Sequence, residues 1–220
     1  MASEALEQAS EFEMCEGFWN SEIQHILTEL HEGRHRFARV QELFGEDCQA
    51  IYERYGGAFY YRPIVNFPYP EALMACSMQP RRKRFLLFFH RIVKVPTVVF
   101  PVKNLMGFFT TLYRMNHPGF RHVFECGFLA TLLHELDHLA LGLVGASSFE
   151  EIVEVESVVW ARTCSRALPA FAFYDLLPAD QQTLDVWHQC GCDAQNPDWS
   201  AHIAERYGCM KNTVATQPIA

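Results

Sequence analysis

Residues 130–142 read ATLLHELDHLALG, a leucine-rich stretch interrupted by two histidines, a glutamate and an aspartate. Leucines flank these polar residues on several sides, which predicts a helix buried over most of its surface. The helix is expected to span 119–143 and to end at Gly145. Polar side chains inside such a helix need partners, because burying them unpaired costs folding free energy.

The polar residues of this stretch spell H-E-x-x-H through His134, Glu135 and His138. Histidines four positions apart project from one face of a helix, so both imidazoles can reach one Zn²⁺ ion. A glutamate beside the first histidine can then act as general base toward a water at the metal. A third protein ligand has to come from another segment, which leaves the fourth position for water.

A second predicted helix carries the candidate third ligand. Ser148 and Glu151 have the spacing of a capping box, and the helix is expected to continue to Pro169. A short turn before it would fold the helix back antiparallel to the first. Glu156 has apolar residues near its face and is the preferred ligand. Glu154 lies about 200° away around the helix and is the alternative.

The stretch HELDHLALGL…EVESVVWARTCSRALP, residues 134–169, resembles the ImmA/IrrE-type metallopeptidases and has the helix layout of gluzincins. The ImmA/IrrE pattern is H-E-x-x-H, then a helix with E-A-x-x-F-A and a Leu-Pro ending. Comparable positions here are Glu156-Ser157, Trp160-Ala161 and Leu168-Pro169. Serine and tryptophan replace the family's alanine and phenylalanine, and the Leu-Pro ending comes slightly late.

This resemblance implies an α+β, mainly α, zincin-like metallopeptidase domain with a small sheet, preceded by an N-terminal helical region. It implies one Zn²⁺ per chain, held by His134, His138 and Glu156, with Glu135 as the general base. The implied function is hydrolysis of peptide bonds in a peptide or protein substrate. Two alternatives stay open: a metal-binding or protein-interaction module on this scaffold without proteolysis, and a purely structural helical module.

A second H-E-x-x-H occurs at His31, Glu32 and His35. Gly33 inside it costs about 1 kcal/mol of helix stability relative to alanine. Charged neighbours surround this copy, as on a solvated helix face. Glu53 follows at the same offset as the candidate third ligand of the first copy, but glutamates are dense in this part of the chain. We therefore interpret this copy as a plain surface helix.

Asp137 gives the first copy the form H-E-x-D-H, which is found in peptide deformylases with a cysteine as third ligand. Cys126 lies eight residues before His134, about 12 Å along a continuous helix, so it could not ligate the same ion. Asp137 is instead expected to orient a histidine or another polar group.

Residues after 173 raise two further possibilities, with helices expected at 178–190 and 197–208. A second metal site is one interpretation of the cysteines and histidines there, and reduced cysteines at a helix end are the other. The candidate ligands are His188, Cys190, Cys192, His202 and Cys209. A side chain that stabilises the tetrahedral intermediate is also expected from this part. The candidates are Tyr174, His188, His202 and Tyr207, with no preference among them.

Composition limits the partners and the compartment. A net charge of −8 argues against a nucleic-acid partner, and the run RRKR at 81–84 is interpreted as a solvated turn. No charge-free apolar stretch of about 18 residues occurs, so no membrane partner is expected. The N-terminal sequence is acidic, unlike a secretory signal, and the eight cysteines are spread thinly. We expect a cytoplasmic protein with reduced thiols.

The remaining sequence predicts how the chain is organised. Apolar residues at helical spacing predict helices over 3–56 and a boundary between regions 1–57 and 58–220. Residues 58–80 are rich in aromatics and prolines and are expected to be irregular or extended. PTVVFPV, residues 96–102, is the best strand candidate, at a sheet edge because of its prolines.

Overall fold

The computed structural model of the chain describes residues 2–69, 72–86, 89–114, 119–146 and 148–172. They form an α+β fold that is mainly helical with a three-stranded sheet, which confirms the coarse fold class predicted from sequence. The chain divides into two compact units, Met1–Gly142 and Leu143–Ala220. The predicted division into regions 1–57 and 58–220 stays a prediction.

The N-terminal part is helical, as the spacing of its apolar residues predicted. Helix α1 covers Ala2–Phe18 and continues through a π-helical turn, Trp19–Ile23, into α2, Gln24–His31. Helix α3 covers Ala38–Tyr55, and Gly56 ends it in the left-handed conformation. Buried apolar side chains at helical spacing attach these helices to the core: Ile23, Leu27, Leu30, Val40, Leu43, Phe44 and Ile51.

The sheet consists of β1, Tyr60–Ile64, β2, Ala75–Leu86, and β3, Phe89–Pro101. Its order is β1-β3-β2, with β3 parallel to β1 and antiparallel to β2. The strand predicted at 96–102 is confirmed as the end of β3. Its predicted edge position is wrong, because β3 is the central strand. Parts of 58–80 belong to β1 and β2.

Two prolines of the central strand lie where only one neighbouring strand is present. Pro96 lies beside β2, one position before the pairing with β1 begins at Thr97. Pro101 lies beside β1, past the last pairing with β2 at Val99. A proline has no N–H to donate, so a central strand accepts it where the second ladder is absent.

Helix α4, Val102–Arg114, and helix α5, Phe120–Leu141, follow the sheet in the first unit. Helix α5 packs against α3 and α4, and every residue from 132 to 140 is buried, as its leucine pattern predicted. Phe128 of α5 stacks on Phe100 of β3 with ring centroids 5.9 Å apart. Each fully buried leucine contributes about 1.5–3 kcal/mol relative to an exposed one, so α5 is firmly held.

Helix α5 ends before Gly142, not at the predicted Gly145. Gly142 has a φ of 75°, and its N–H reaches back to carbonyls of the last helical turn. The guanidinium Nε–H of Arg54, on α3, donates to the carbonyl oxygen of Ala140 at 2.8 Å. A cation at the C-terminus of a helix is favourable, because the unpaired carbonyls there carry partial negative charge.

Replacing Gly142 with alanine is expected to lower the free energy of unfolding by about 1–3 kcal/mol. A φ of 75° is strained for an L-residue, and the new Cβ would lie 2.7 Å from Nη1 of Arg54. Gly45→Ala, in the exposed middle of α3 with nothing within 4 Å, should instead raise stability by about 1 kcal/mol. Urea denaturation measures both changes. Equal stability of Gly142→Ala and wild type would contradict this account of the helix end.

In the second unit, helix α6 covers Phe149–Ala172. The backbone N–H of Glu151 donates to Oγ of Ser148 at 3.1 Å, which confirms the predicted capping by Ser148. The helices predicted at 178–190 and 197–208 lie outside the described residues. No described helix combines the length and the apolar character that crossing a membrane requires.

Candidate metal centre

His134 and His138 lie one turn apart on α5, with their imidazole rings in edge-to-face contact. Their Nε2 atoms are 3.1 Å apart, and their ring centroids are 4.7 Å apart. The two side chains are 4% and 5% exposed. Both Nε2 atoms lie in the same small volume of the interior. They are therefore positioned as two ligands of one metal ion would be.

Glu156 joins the two histidines in a group of side chains that can hold a metal ion. Each residue offers one ligand atom, and these atoms all lie within 4.8 Å of one another. Glu154, the alternative ligand, is exposed. Two imidazole nitrogens and a carboxylate oxygen suit several divalent transition metals, so the group indicates a metal site without identifying the ion.

Three carboxyl side chains are buried in or next to α5. Glu135 is 8% exposed, and Asp137 is 0% exposed. Asp47 is also fully buried, on α3, the helix that packs against α5. Sequence reasoning missed Asp47. The sequence does contain an indication that Asp47 is buried. It lies at helical spacing from Leu43 and Ile51, both buried, and so belongs to the inward face of α3.

The second H-E-x-x-H copy is not on a continuous helix, so its interpretation as a surface helix was wrong. Helix α2 ends at His31, and Gly33 follows with a φ of 69°. A glycine in the left-handed conformation terminates a helix, which separates the two histidines. Nε2 of His31 lies 2.8 Å from Oη of Tyr61, whereas His35 lies beside Glu125. The metal-holding group found among the described residues includes neither histidine.

His35 is buried in an ion-paired cluster near the start of α5. Its Nε2 lies 3.1 Å from Oε1 of Glu125, and Arg36 donates to the other oxygen of that carboxylate. Arg36 also lies 2.9 Å from Nδ1 of His122. Burial opposes ionisation of Glu125, but the hydrogen bond from His35 and the charge of Arg36 outweigh it and lower the carboxyl pKa. Burial, with the Arg36 charge, lowers the pKa of His122.

Glu125→Gln is expected to lower the free energy of unfolding by about 1–2 kcal/mol near neutral pH. A carboxyl with a depressed folded-state pKa stabilises the protein above its unfolded pKa, and this contribution disappears as pH falls through the folded pKa. The difference in free energy of unfolding between Glu125→Gln and wild type should therefore disappear below about pH 4. Denaturation curves over this range measure it.

Glu42→Gln is the control for this change, because Glu42 is an exposed member of a surface ion pair with Arg39. Glu42→Gln should change the free energy of unfolding by no more than about 0.5 kcal/mol at every pH. A loss of stability in Glu125→Gln that did not vary with pH would contradict the role given to the Glu125 charge.

Cys126 is buried in α5, and its own burial, followed by the charge of Glu125, raises the pKa of the thiol to about 12. A protonated thiol is a poor metal ligand and a poor nucleophile. The other candidates from the sequence lie outside the described residues: Tyr174, His188, Cys190, Cys192, His202, Tyr207 and Cys209.

Comparison with known proteins adds no family: no protein-family model, no curated protein and no solved structure matches this chain. A functional conclusion therefore has to come from the donor atoms of the site, their spacing and their burial. Here these are two imidazole nitrogens, a carboxylate oxygen and an adjacent buried glutamate.

Proposed function

We propose that this protein is a zincin-like zinc metallopeptidase, similar to the ImmA/IrrE type, that hydrolyses peptide bonds. His134, His138 and Glu156 would hold one Zn²⁺ ion, and Glu135 would be the general base. One observation carries the proposal: the ligand atoms of these two histidines and Glu156 lie within 4.8 Å of one another.

The donor set supports zinc over the alkaline-earth ions. Ca²⁺ and Mg²⁺ prefer oxygen ligands, whereas imidazole nitrogens with one carboxylate are common at catalytic zinc. Two nitrogens bound to tetrahedral zinc are about 3.4 Å apart, and the two Nε2 atoms here are 3.1 Å apart. When bound, the metal would polarise a substrate carbonyl and lower the pKa of a water molecule.

Glu135 would move the protons of the reaction. Its carboxylate would take a proton from the attacking water and later donate it to the nitrogen of the departing amine. Both transfers are needed, because an amide nitrogen leaves readily only as a neutral amine. The side chain is 8% exposed, so bulk water screens its charge weakly.

The surroundings of α5 would keep these groups in position. The helix is buried over residues 132–140, and Arg54 binds its last turn through the carbonyl of Ala140. Asp137, fully buried one position before His138, would orient a polar neighbour. Catalytic groups need such support, because small displacements lower the rate steeply.

A cytoplasmic location belongs to the same proposal. Cys15, Cys48 and Cys126 are free thiols in the described part of the chain, which fits a reducing compartment. Burial raises the pKa of Cys48 and of Cys126 to about 12, so both thiols are protonated near neutral pH.

Incubation of the zinc-loaded protein with a library of unstructured peptides tests the proposed activity, with Glu135→Gln as the matched inactive form. Wild type should generate new peptide termini, detected by mass spectrometry, that the variant does not generate. A wild-type protein that holds zinc and cleaves no peptide would favour the non-proteolytic binding module. A protein that takes up no zinc would contradict the site itself.

A further inference from the structure

The basic residues of the chain are concentrated in one segment. Residues 72–124 contain nine of the 18 lysines and arginines and none of the 26 aspartates and glutamates, so the acidic charge of the protein lies elsewhere. The run at 81–84 was interpreted from sequence as a solvated turn, and this is wrong. It lies inside β2, paired with β3.

The basic run belongs to a two-stranded extension of the sheet. Strand β1 pairs with β3 only from Thr97 onward, whereas β2 and β3 remain paired out to Leu86 and Phe89. Residues 78–86 and 89–96 therefore form a ribbon of two strands, which we name the basic arm. Its eight β3 residues span about 26 Å. A two-stranded ribbon alone is marginally stable in water, so a partner surface would favour it.

Three basic side chains of the arm lie at its surface, and the guanidinium carbon of one of them, Arg81, is 3.8 Å from the ring centroid of Tyr60. Arg81, Arg82 and Lys94 are exposed, and no ion pair found among the described residues involves them. Lys83 lies directly opposite Arg91 in the register. The sequence therefore places a basic residue at each of two opposite positions of the ribbon.

Both faces of the basic arm carry basic positions. Alternate residues of a strand point to opposite sides, so Arg81 lies on one face while Arg82 shares the other with Lys94. Neither face is suited to packing on a protein core, because each would bury a cation that makes no ion pair among the described residues. The arrangement fits an extended anionic surface that can reach both sides of a narrow ribbon.

The outer end of the basic arm is apolar. Phe85, Leu86 and Phe89 are the strand residues farthest from β1, and Leu86 pairs with Phe89. Ile92, nearer the middle, is 69% exposed. Apolar residues at the end and basic residues behind them match the two layers of a membrane surface, with acyl chains beneath anionic headgroups. A nucleic acid would accept the charge but offers little to an exposed aliphatic side chain such as Ile92.

We propose that the basic arm docks this protein on a membrane surface rich in anionic lipids, with its apolar end entering the headgroup region. Docking of this kind requires no membrane-spanning helix. Each basic residue close to such a surface contributes about fivefold to the partition coefficient, and this contribution is weakened by salt. The proposal does not depend on the peptidase activity.

Vesicle sedimentation with the full chain tests membrane docking by the basic arm. One set of vesicles contains phosphatidylcholine alone, and the other contains equal parts of phosphatidylcholine and phosphatidylglycerol. Wild type should bind the anionic vesicles and not the zwitterionic ones. Reversing two exposed charges on one face, Arg82→Glu with Lys94→Glu, should weaken binding at least about 30-fold. Arg39→Glu with Arg114→Glu reverses two exposed charges outside the arm and should bind like wild type within about twofold.

Leu86→Ser separates the apolar contribution from the charge. It should weaken binding about tenfold and remove the part that survives high salt. Unchanged thermal midpoints establish that each variant is folded. The proposal is overturned if wild type ignores anionic vesicles, if both double variants lose binding equally, or if wild type binds an oligonucleotide through the arm and no vesicle.

Discussion

Wild-type protein prepared with zinc is expected to hold about one zinc ion per chain, and His138→Ala close to none. Loss of a residue that only orients a ligand weakens metal binding about 10–100-fold, and loss of a ligand itself costs more. We therefore expect the zinc dissociation constant of His138→Ala to rise by more than about 100-fold. Elemental analysis and competition with a chromophoric chelator measure both quantities.

The second H-E-x-x-H copy provides a control within the same chain. His31→Ala removes an exposed histidine that hydrogen-bonds Tyr61, but His31 does not belong to the metal-holding group. Its zinc content should equal that of wild type, even if its stability is lower. Zinc kept by His138→Ala, or lost from His31→Ala, would contradict the assignment of the metal to α5.

The two glutamates of α6 test the third ligand in the same assay. Glu156→Gln should weaken zinc binding, because an amide oxygen is a poorer donor to Zn²⁺ than a carboxylate. Glu154→Gln changes an exposed residue and should have no effect. The opposite result would move the third ligand to Glu154, the alternative left open by the sequence.

Local sequence patterns predicted the helices near the site well. The leucines around His134 and His138 predicted a buried helix, and Ser148 predicted where the next helix begins. The end of α5 was misplaced, because Gly142 and Gly145 both have a positive φ and the sequence does not show which one caps the helix. Arg54, which donates to the last turn, lies 86 residues before Ala140 in the chain. A contact across that separation leaves no mark on the local spacing of residues.

The position of a strand within the sheet is even harder to predict from local sequence patterns. Prolines predicted an edge position for the strand at 96–102, because a central strand normally needs its N–H groups. Pro96 and Pro101 avoid this constraint through the stagger of β1 and β2, which sequence periodicity does not reveal. The burial of His35 against Glu125, 90 residues later, was equally invisible.

Glu135→Gln should lower kcat for peptide hydrolysis by about 10²–10⁴-fold while zinc content stays at the wild-type level. The substitution keeps the size of the side chain and removes its ability to accept a proton. This loss corresponds to about 3–5 kcal/mol of transition-state stabilisation. Because Glu135 is not among the three proposed ligands, metal binding should be unaffected.

Glu32→Gln is the matched control, since Glu32 holds the same place in the second H-E-x-x-H copy. It should retain wild-type kcat and KM, because that copy is divided by the end of α2. Comparing the two variants separates the loss of proton transfer from the loss of zinc binding. A Glu135→Gln protein that holds zinc and remains active would assign the proton transfers to another group. An equal loss of activity in Glu135→Gln and Glu32→Gln would show that the assay reports protein stability, because only Glu135 lies beside a candidate metal ligand.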